Sequence, residues 1–504
     1  MFKSLFVLCA LVGVPLVRCS TQETLKIPSH LYPSDLTNTS SGSPEVLNHD
    51  TALFMPFEDL TLLSSNEFTT LKHYVFPKHS VRIKKSDFCD GTVNAYTGYI
   101  DIEARHLFFY FFESRSNPDK DDVMLWTNGG PGCSSAVGLF MELGPCRVEN
   151  VNKTTFNPYS WNDKANIFFI DQPVGVGYSY AEYGETVGNT EDAAKDIAAF
   201  MAIFFEHFTQ FKGRSFHMAG ESYAGRYVPL FAAEVYDQNA RLEEAGLTPI
   251  NLTSILLGNG LTEAGARWRG GYEMQCTSAS LAPINTISNC VRMRRMLPRC
   301  EKLFKESCVD ILDPIGCAAA NAFCWSAIEL PEGINPYDLS KKCDGELRES
   351  LCYPITKDIT NFLNREDIRA MLGVDPTIGN FSSCNNEVNA QFNANLDSVH
   401  PTPHYVTGLL ERGVNVLVYV GANDFRCNWI SNEAMTLHLD WTGKAEFNSQ
   451  PLEEWKFNGS AAGLTRSAGP LTFATIYDAG HMVPYDKPEA SLELVNKWLA
   501  GESL

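Results

Sequence analysis

"FHMAGESYAGRYVP", residues 216–229, is the stretch on which the reading of the chain turns. It opens on a short apolar run, places Ser222 between Gly220 and Gly225, and leads into the helix-like "YVPLFAAEVYDQNAR". A strand that turns sharply into a helix with a serine at the bend is the setting of a nucleophile elbow. The written pattern is G-E-S-Y-A-G, with Ala224 where a second glycine is usual. A small side chain suffices there if the turn only needs room for the helix to pack on the sheet. Loose serine motifs arise by chance, so the rest of the chain has to carry the assignment.

The layout on either side supplies the context. "HLFFYFFES", "DVMLWTN" and "KANIFFIDQP" are short apolar runs bounded by polar turns, and "TEDAAKDIAAFMAIFFEHF" has helical spacing with acidic residues in its first turn. "INLTSILLGNG", "NVLVYVGAND" and "LTFATIYDAGH" read as further buried strands, and "ASLELVNKWLAG" as a closing helix. Strands alternating with helices predict an α/β fold with a mainly parallel sheet covered on both faces. Between Gly260 and about Thr360 the rhythm breaks, and eight cysteines crowd between Cys276 and Cys352. That segment, about 261–360, reads as an insertion of short helices stapled by disulfides.

On such a sheet the partners of a serine nucleophile follow it in the order acid, then histidine. Only His438 and His481 follow the strand "NVLVYVG". His438 lies in a helical pattern, whereas His481 sits in "DAGHMVP", a loop directly after the last strand. Asp424 stands just after the preceding strand, in "YVGANDFRCNW". Ser222 is therefore expected as nucleophile, His481 as general base and acid, and Asp424 as the group that orients the imidazole. "WTNGGPGCSS", Trp126–Ser135, follows another strand and offers amides for an oxyanion. It lacks the Gly-Lys-Ser/Thr of a phosphate loop. No H-E-x-x-H or paired C-x-x-C pattern appears, so no metal or organic cofactor is expected.

Bulk properties set the compartment. The 504 residues carry a formal net charge of −20, which argues against nucleic acid and anionic membrane surfaces as partners. "MFKSLFVLCALVGVPLVRCS" has a basic start and an apolar run too short to span a bilayer comfortably, so residues 1–19 read as a secretory signal peptide. No other stretch is apolar for long enough to span. Residues 20–85 are rich in Ser, Thr, Pro and Leu, lack cysteine and end in a basic run, as a cleaved propeptide or a retained extension would; the catalytic domain is expected over 86–504. Secretion favours disulfides, and the 13 cysteines outside the leader leave at least one unpaired. Sequons at Asn38, Asn152, Asn251, Asn380 and Asn458 are candidate glycosylation sites.

"WTNGGPGCSS", "GESYAGRYVP", "YVGANDFRCNW" and "DAGHMVP" together resemble the signatures of the serine carboxypeptidase family. The likeness runs from about Tyr96 to the C-terminus and includes the order of the clustered cysteines. It implies an α/β-hydrolase fold that removes single residues from the free C-termini of peptides and proteins; the chain reads as a protein of the secretory pathway, secreted or vacuolar/lysosomal, with monomer and homodimer both left open. By motif, the resemblance makes the amides of Gly130 and Tyr223 the oxyanion donors. Asn128, Gly129, Glu142 and Glu221 become the group holding the substrate's terminal carboxylate. Two neighbouring carboxyls raise each other's pKa, and protonated they donate to an incoming carboxylate, so acidic pH is expected to favour peptide binding. Tyr337, Tyr353 and Met482 are implied to line the pocket for the released side chain. Val137 and Met141 replace a polar and an aromatic residue of the family pattern there, which points to an apolar preference. The implied disulfides are Cys133–Cys384, Cys276–Cys290, Cys300–Cys324, Cys308–Cys317 and Cys343–Cys352. Cys427 is implied as a free thiol near the pocket for the residue before the scissile bond. Cys89 and Cys146 are left over and are expected to pair with each other. A carboxypeptidase-like acyltransferase and a lipase or esterase share this fold, but the retained Glu142 and Glu221 argue against the first and the absence of an H-G-G-G loop against the second. A stabilising partner in a lysosomal complex is a further reading, of a different class.

Overall fold

The computed structural model describes residues 56–504 apart from positions 58, 90 and 401. The signal peptide and the Asn38 sequon lie outside them. Six strands form the parallel centre of one sheet: β1 (Asp122–Thr127), β2 (Ala165–Ile170), β3 (Phe216–Glu221), β4 (Leu252–Gly258), β5 (Asn415–Gly421) and β6 (Leu471–Ile476). Their order across the sheet is β2-β1-β3-β4-β5-β6. Antiparallel wings extend it on both sides, through Arg105–Phe112 beside β2 and Ser460–Ala468 beside β6.

The central strands are near-continuous apolar runs because both faces are covered. Alternation still sorts them. Phe168 and Ile170 of β2 join the core on one face, whereas Ile167 and Phe169 join the core on the other. The first face is covered by α1 (Thr190–His207) and α2 (Ala224–Glu244), which pack on each other. Asn189 caps α1 by accepting from the Asp192 amide, and Glu191 and Asp192 lie in its first turn, where the helix dipole favours negative charge. The second face is covered in part by the closing helix Pro488–Leu499, whose Leu494 and Val495 are buried with Trp126 and Trp161.

The chain leaves the sheet after β4 and does not return until β5. Within this excursion α3 (Arg267–Cys276), α4 (Ile287–Phe304) and α5 (Pro314–Ala327) enclose a core of their own around Trp268, Met293 and Phe304. The excursion outlasts the cysteine-rich part, because a parallel β4-to-β5 connection needs a crossover helix. Thr402–Leu410 supplies it and packs on α2.

At the other end, the composition change at position 85 marks no boundary in the fold. Thr69–Lys72 and His79–Lys85 pair antiparallel, and the second of them pairs with Ala95–Ile102 at the sheet edge. Alternation explains this: Val81 and Ile83 face the core and are fully buried.

Six disulfides close the structure: Cys89–Cys146, Cys133–Cys384, Cys276–Cys290, Cys300–Cys324, Cys308–Cys317 and Cys343–Cys352. Cys133–Cys384 ties residues 251 positions apart, which on chain entropy alone contributes about 5 kcal/mol. Cys427 is free and buried. Alkylation of the denatured, unreduced protein should therefore modify one thiol between Cys89 and Cys427, in the Cys427 peptide. Label on Cys89 and Cys146 as well would contradict the pairing.

Candidate active site

Ser222 stands between the last residue of β3 and the first of α2, with φ +67°. This left-handed conformation is rare for a residue with a side chain and is held by its surroundings. The Ser222 amide donates to the Gly258 carbonyl at 3.0 Å, and its carbonyl accepts from the Leu261 amide at 2.8 Å. A Cβ on Gly220 would lie 2.5 Å from that of Ala224 and 2.6 Å from the Thr127 carbonyl oxygen. The departure from the two-glycine pattern is thus explained by close approach: Gly220 has no side chain, so position 224 can carry a methyl group.

The loop after β1 lies directly on this turn. A Cβ on Gly129 would fall 2.3 Å from the Tyr223 nitrogen and 2.7 Å from the Glu221 carbonyl oxygen. Gly129 and Gly130 are thereby brought to the start of α2, where first-turn N–H groups have no intrahelical acceptor. Cys133–Cys384 anchors the same loop to the helical excursion.

His481 follows β6, and its amide donates to the Tyr337 carbonyl at 2.7 Å. Its Nδ1 lies 2.7 Å from Asp424 Oδ2. Asp424 is fully buried, and three other N–H donors reach it: Asn259 Nδ2 at 2.9 Å, the Cys427 amide at 3.1 Å and the Arg426 amide at 2.8 Å. A carboxylate so placed can only accept from His481, so Nδ1 carries the proton and Nε2 is left as the base. Ser222 and His481 line one cavity of about 600 Å³.

Asn259 was not legible as a functional residue. It follows β4 in "GNG", which reads as a turn, yet it is fully buried, takes φ +42° and also accepts the Gly421 amide at 3.0 Å. One side chain therefore joins the acid to the strand that presents it.

The carboxyls of Glu221 and Glu142 meet beside Ser222. Glu142 is fully buried on the helical turn Gly138–Leu143. Burial first, and for Glu221 next the charge of Glu142, pushes both above the ordinary carboxyl range. Glu142 Oε2 is buried with no hydrogen-bond partner among the described residues. Asn128 completes the group. Its Oδ1 accepts from Trp126 Nε1 at 2.8 Å and from the Gly138 amide at 3.0 Å, which turns Nδ2 toward Glu142 Oε1 at 3.5 Å. His481 Nε2 is 4.0 Å from Glu221 Oε1.

Of the residues expected around the released side chain, Val137, Tyr337 and Met482 line the cavity, and the Tyr337 ring lies 5.1 Å from that of His481. Met141 and Tyr353 do not line it. Met141 is 1% exposed within the apolar core, and the Tyr353 ring packs on Tyr337 and Tyr485. Cys427 borders a second lobe of about 360 Å³ that also reaches Ser222, Gly130 and Tyr223. Asp424, Cys427 and His481 hold ligand-type atoms within 4.8 Å of one another. The Asp424 carboxylate is already taken up by N–H donors. Burial first, then the Asp424 charge, pushes the Cys427 thiol up, so it stays protonated and is a poor metal ligand. The sequons at Asn152, Asn251, Asn380 and Asn458 are exposed.

Residues 88–501 match the family described as serine carboxypeptidase. Carboxypeptidase Y of Candida albicans is 40% identical over 433 residues, covering 84% of this chain and 77% of the relative. Carboxypeptidase Y of Komagataella phaffii is 40% identical over 435 residues, with 84% and 80% covered. Among solved structures, a prohormone-processing carboxypeptidase from Saccharomyces cerevisiae superposes with TM-score 0.69 at 24% identity, covering 87% of this chain and 97% of that one, and shares the fold.

Two substitutions probe the geometry. Gly129→Ala drives a methyl group against the Tyr223 nitrogen and should lower kcat at least ~100-fold, the scale of losing an oxyanion donor. Asn259→Ala should lower kcat about tenfold with little change in KM, because it loosens Asp424 without touching the cleft. Steady-state hydrolysis rates check both, and near-wild-type kcat in either contradicts the arrangement.

Proposed function

Because the chain belongs to the serine carboxypeptidase family, we propose that Ser222 attacks the last peptide bond of a substrate whose terminal carboxylate is held by Asn128, the Gly129 amide and the proton-sharing Glu142–Glu221 pair. The observation that carries this reading is that pair. Two buried carboxyls with raised pKa values stand immediately beside the turn that carries Ser222, where a generic hydrolase has no use for them.

The steps use groups already placed. His481 Nε2 takes the Ser222 Oγ proton as Oγ bonds to the scissile carbonyl carbon, and Asp424 stabilises the imidazolium. The amides of Gly130 and Tyr223 receive the negative charge on the carbonyl oxygen. Nε2 then returns the proton to the leaving nitrogen, the C–N bond breaks, and the C-terminal residue departs. Water, deprotonated by the same Nε2, splits the acyl-enzyme and restores Ser222. The released side chain lies in the lobe of Val137, Tyr337 and Met482, which suits an apolar residue. The remainder of the peptide lies on the other side of Ser222.

The leader-like residues 1–19 and the exposed sequons support a glycoprotein of the secretory pathway, working in an acidic vacuolar or lysosomal compartment or outside the cell. Segment 20–85 is proposed as an N-terminal extension or propeptide, and its last two strands are an edge pair of the sheet. Among the described residues no helix is long and apolar enough to cross a membrane.

A peptide with a free C-terminus should be hydrolysed and its C-terminal amide spared, with Ser222→Ala abolishing turnover. Indifference to amidation would point to an esterase or acyltransferase. The pair also fixes a pH dependence. Carboxyls with raised pKa values are protonated in acid and ionise as pH rises, so KM for peptides should climb between about pH 5 and about pH 8. Glu221→Gln should flatten that climb, and a flat wild-type KM would refute the role of the pair. Folding is linked with the same sign. Both carboxyls bind protons more tightly when folded, so the stability they lend is complete below about pH 4.3 and is lost as pH rises through their folded values.

A further inference from the structure

The second lobe has a chemistry of its own. Its charged lining residues are Arg267, from the start of α3, and Arg426, from the loop after β5, with no acidic residue beside them. Both guanidiniums stack on one ring: their Cζ atoms lie 5.5 Å and 5.6 Å from the Trp325 centroid. Arg426 also lies 5.7 Å from the Tyr337 ring. Stacking fixes the planes of the two groups without using their N–H donors. Arg267 Nε and Nη2 and Arg426 Nε are out of contact with solvent and have no acceptor among the described residues.

Arg226, fully buried, meets Asp397 at 2.9 Å and Glu191 at 2.7 Å. In a chain of net charge −20, two neighbouring arginines without a counter-ion stand out. Burial, with the Arg426 charge adding to it, holds Arg267 below the usual guanidinium range. Mutual repulsion of two guanidiniums on one cavity wall costs free energy that an incoming anion relieves. Asn321, Asn393 and Ser398 add polar groups to a wall that also holds Leu261 and Trp325.

We propose that Arg267 and Arg426 form a receptor for an anionic side chain, so that this carboxypeptidase prefers substrates with Asp or Glu immediately before the residue it releases. The assignment rests on the reading above, in which the released residue fills the first lobe and the acyl side of the scissile bond faces the second. Arg426 borders both lobes and Arg267 only the second, which makes Arg267 the discriminating position. The carboxylate of the penultimate residue would accept from both guanidiniums, a charge-assisted contact that a neutral amide of the same shape does not match.

The test uses peptides that share one apolar C-terminal residue and differ only in the penultimate residue: Glu, Gln, Ala or Lys. For the wild-type enzyme, at a pH above the usual ~4.3 of a Glu side chain, kcat/KM for Glu should exceed that for Gln by about tenfold or more, with Lys the poorest. The Glu-to-Gln ratio should fall toward one in Arg267→Met and Arg426→Met, and Arg267→Glu should favour Lys. The ratio is internal to each variant, so a lowered overall rate does not blur it, and the wild-type series stands if a variant fails to fold. Equal or better turnover of the Gln peptide by the wild type, or a ratio unmoved in both Met variants, overturns the proposal. So does an acidic preference that follows the released residue instead of the penultimate one. Turnover of the Ala peptide with no preference for Glu overturns this proposal alone, whereas equal turnover of amidated and free peptides overturns the reading beneath it.

Discussion

The turn at Ser222 is the constraint from which the site is built. A serine held at φ +67° between a parallel strand and a helix projects where neither element continues. Three neighbours are arranged to keep it there. β4 takes its amide through Gly258, the chain beyond β4 binds its carbonyl through Leu261, and the loop after β1 lies against it through Gly129. Because β1, β3, β4, β5 and β6 are adjacent in the sheet, the loops leaving their C-terminal ends converge on one place. Asp424 and His481 arrive there from β5 and β6, and Asn259 from β4 joins the acid to the strand that carries it.

The cleft then divides by charge. Asp424 is buried and surrounded by N–H donors. Glu142 and Glu221 are buried with only an amide and each other, which suits a shared proton. On the far side of Ser222 the pattern inverts, with two stacked arginines and no acid.

Much of this could be read from the chain because burial leaves a plain signature. The central strands were visible as apolar runs, and the order Ser222, Asp424, His481 along them selected the histidine. Glu142, Asn128 and five of the six disulfides came only through the family resemblance, since nothing in their own spacing marks them, and Cys89–Cys146 followed as the two cysteines left over. Other features were hidden for physical reasons. Thr69–Lys85 looked separate by composition, yet the alternation of Val81 and Ile83 builds it into the sheet edge. Met141 and Tyr353 carry suitable side chains, but packing turns them into the core. Asn259 looked like a turn residue. Arg267 and Arg426 belong to different elements, and only the folded insertion places both against Trp325.

The central claim is that a proton held between Glu142 and Glu221 receives the carboxylate end of a peptide. Calorimetric titration of a free amino acid or short peptide product, in two buffers of different ionisation enthalpy near neutral pH, measures the protons taken up on binding. The account predicts uptake that is small where the free pair already holds its proton, grows as pH rises and the free pair ionises, and is abolished in Glu221→Gln. Binding whose proton uptake does not grow with pH would contradict it.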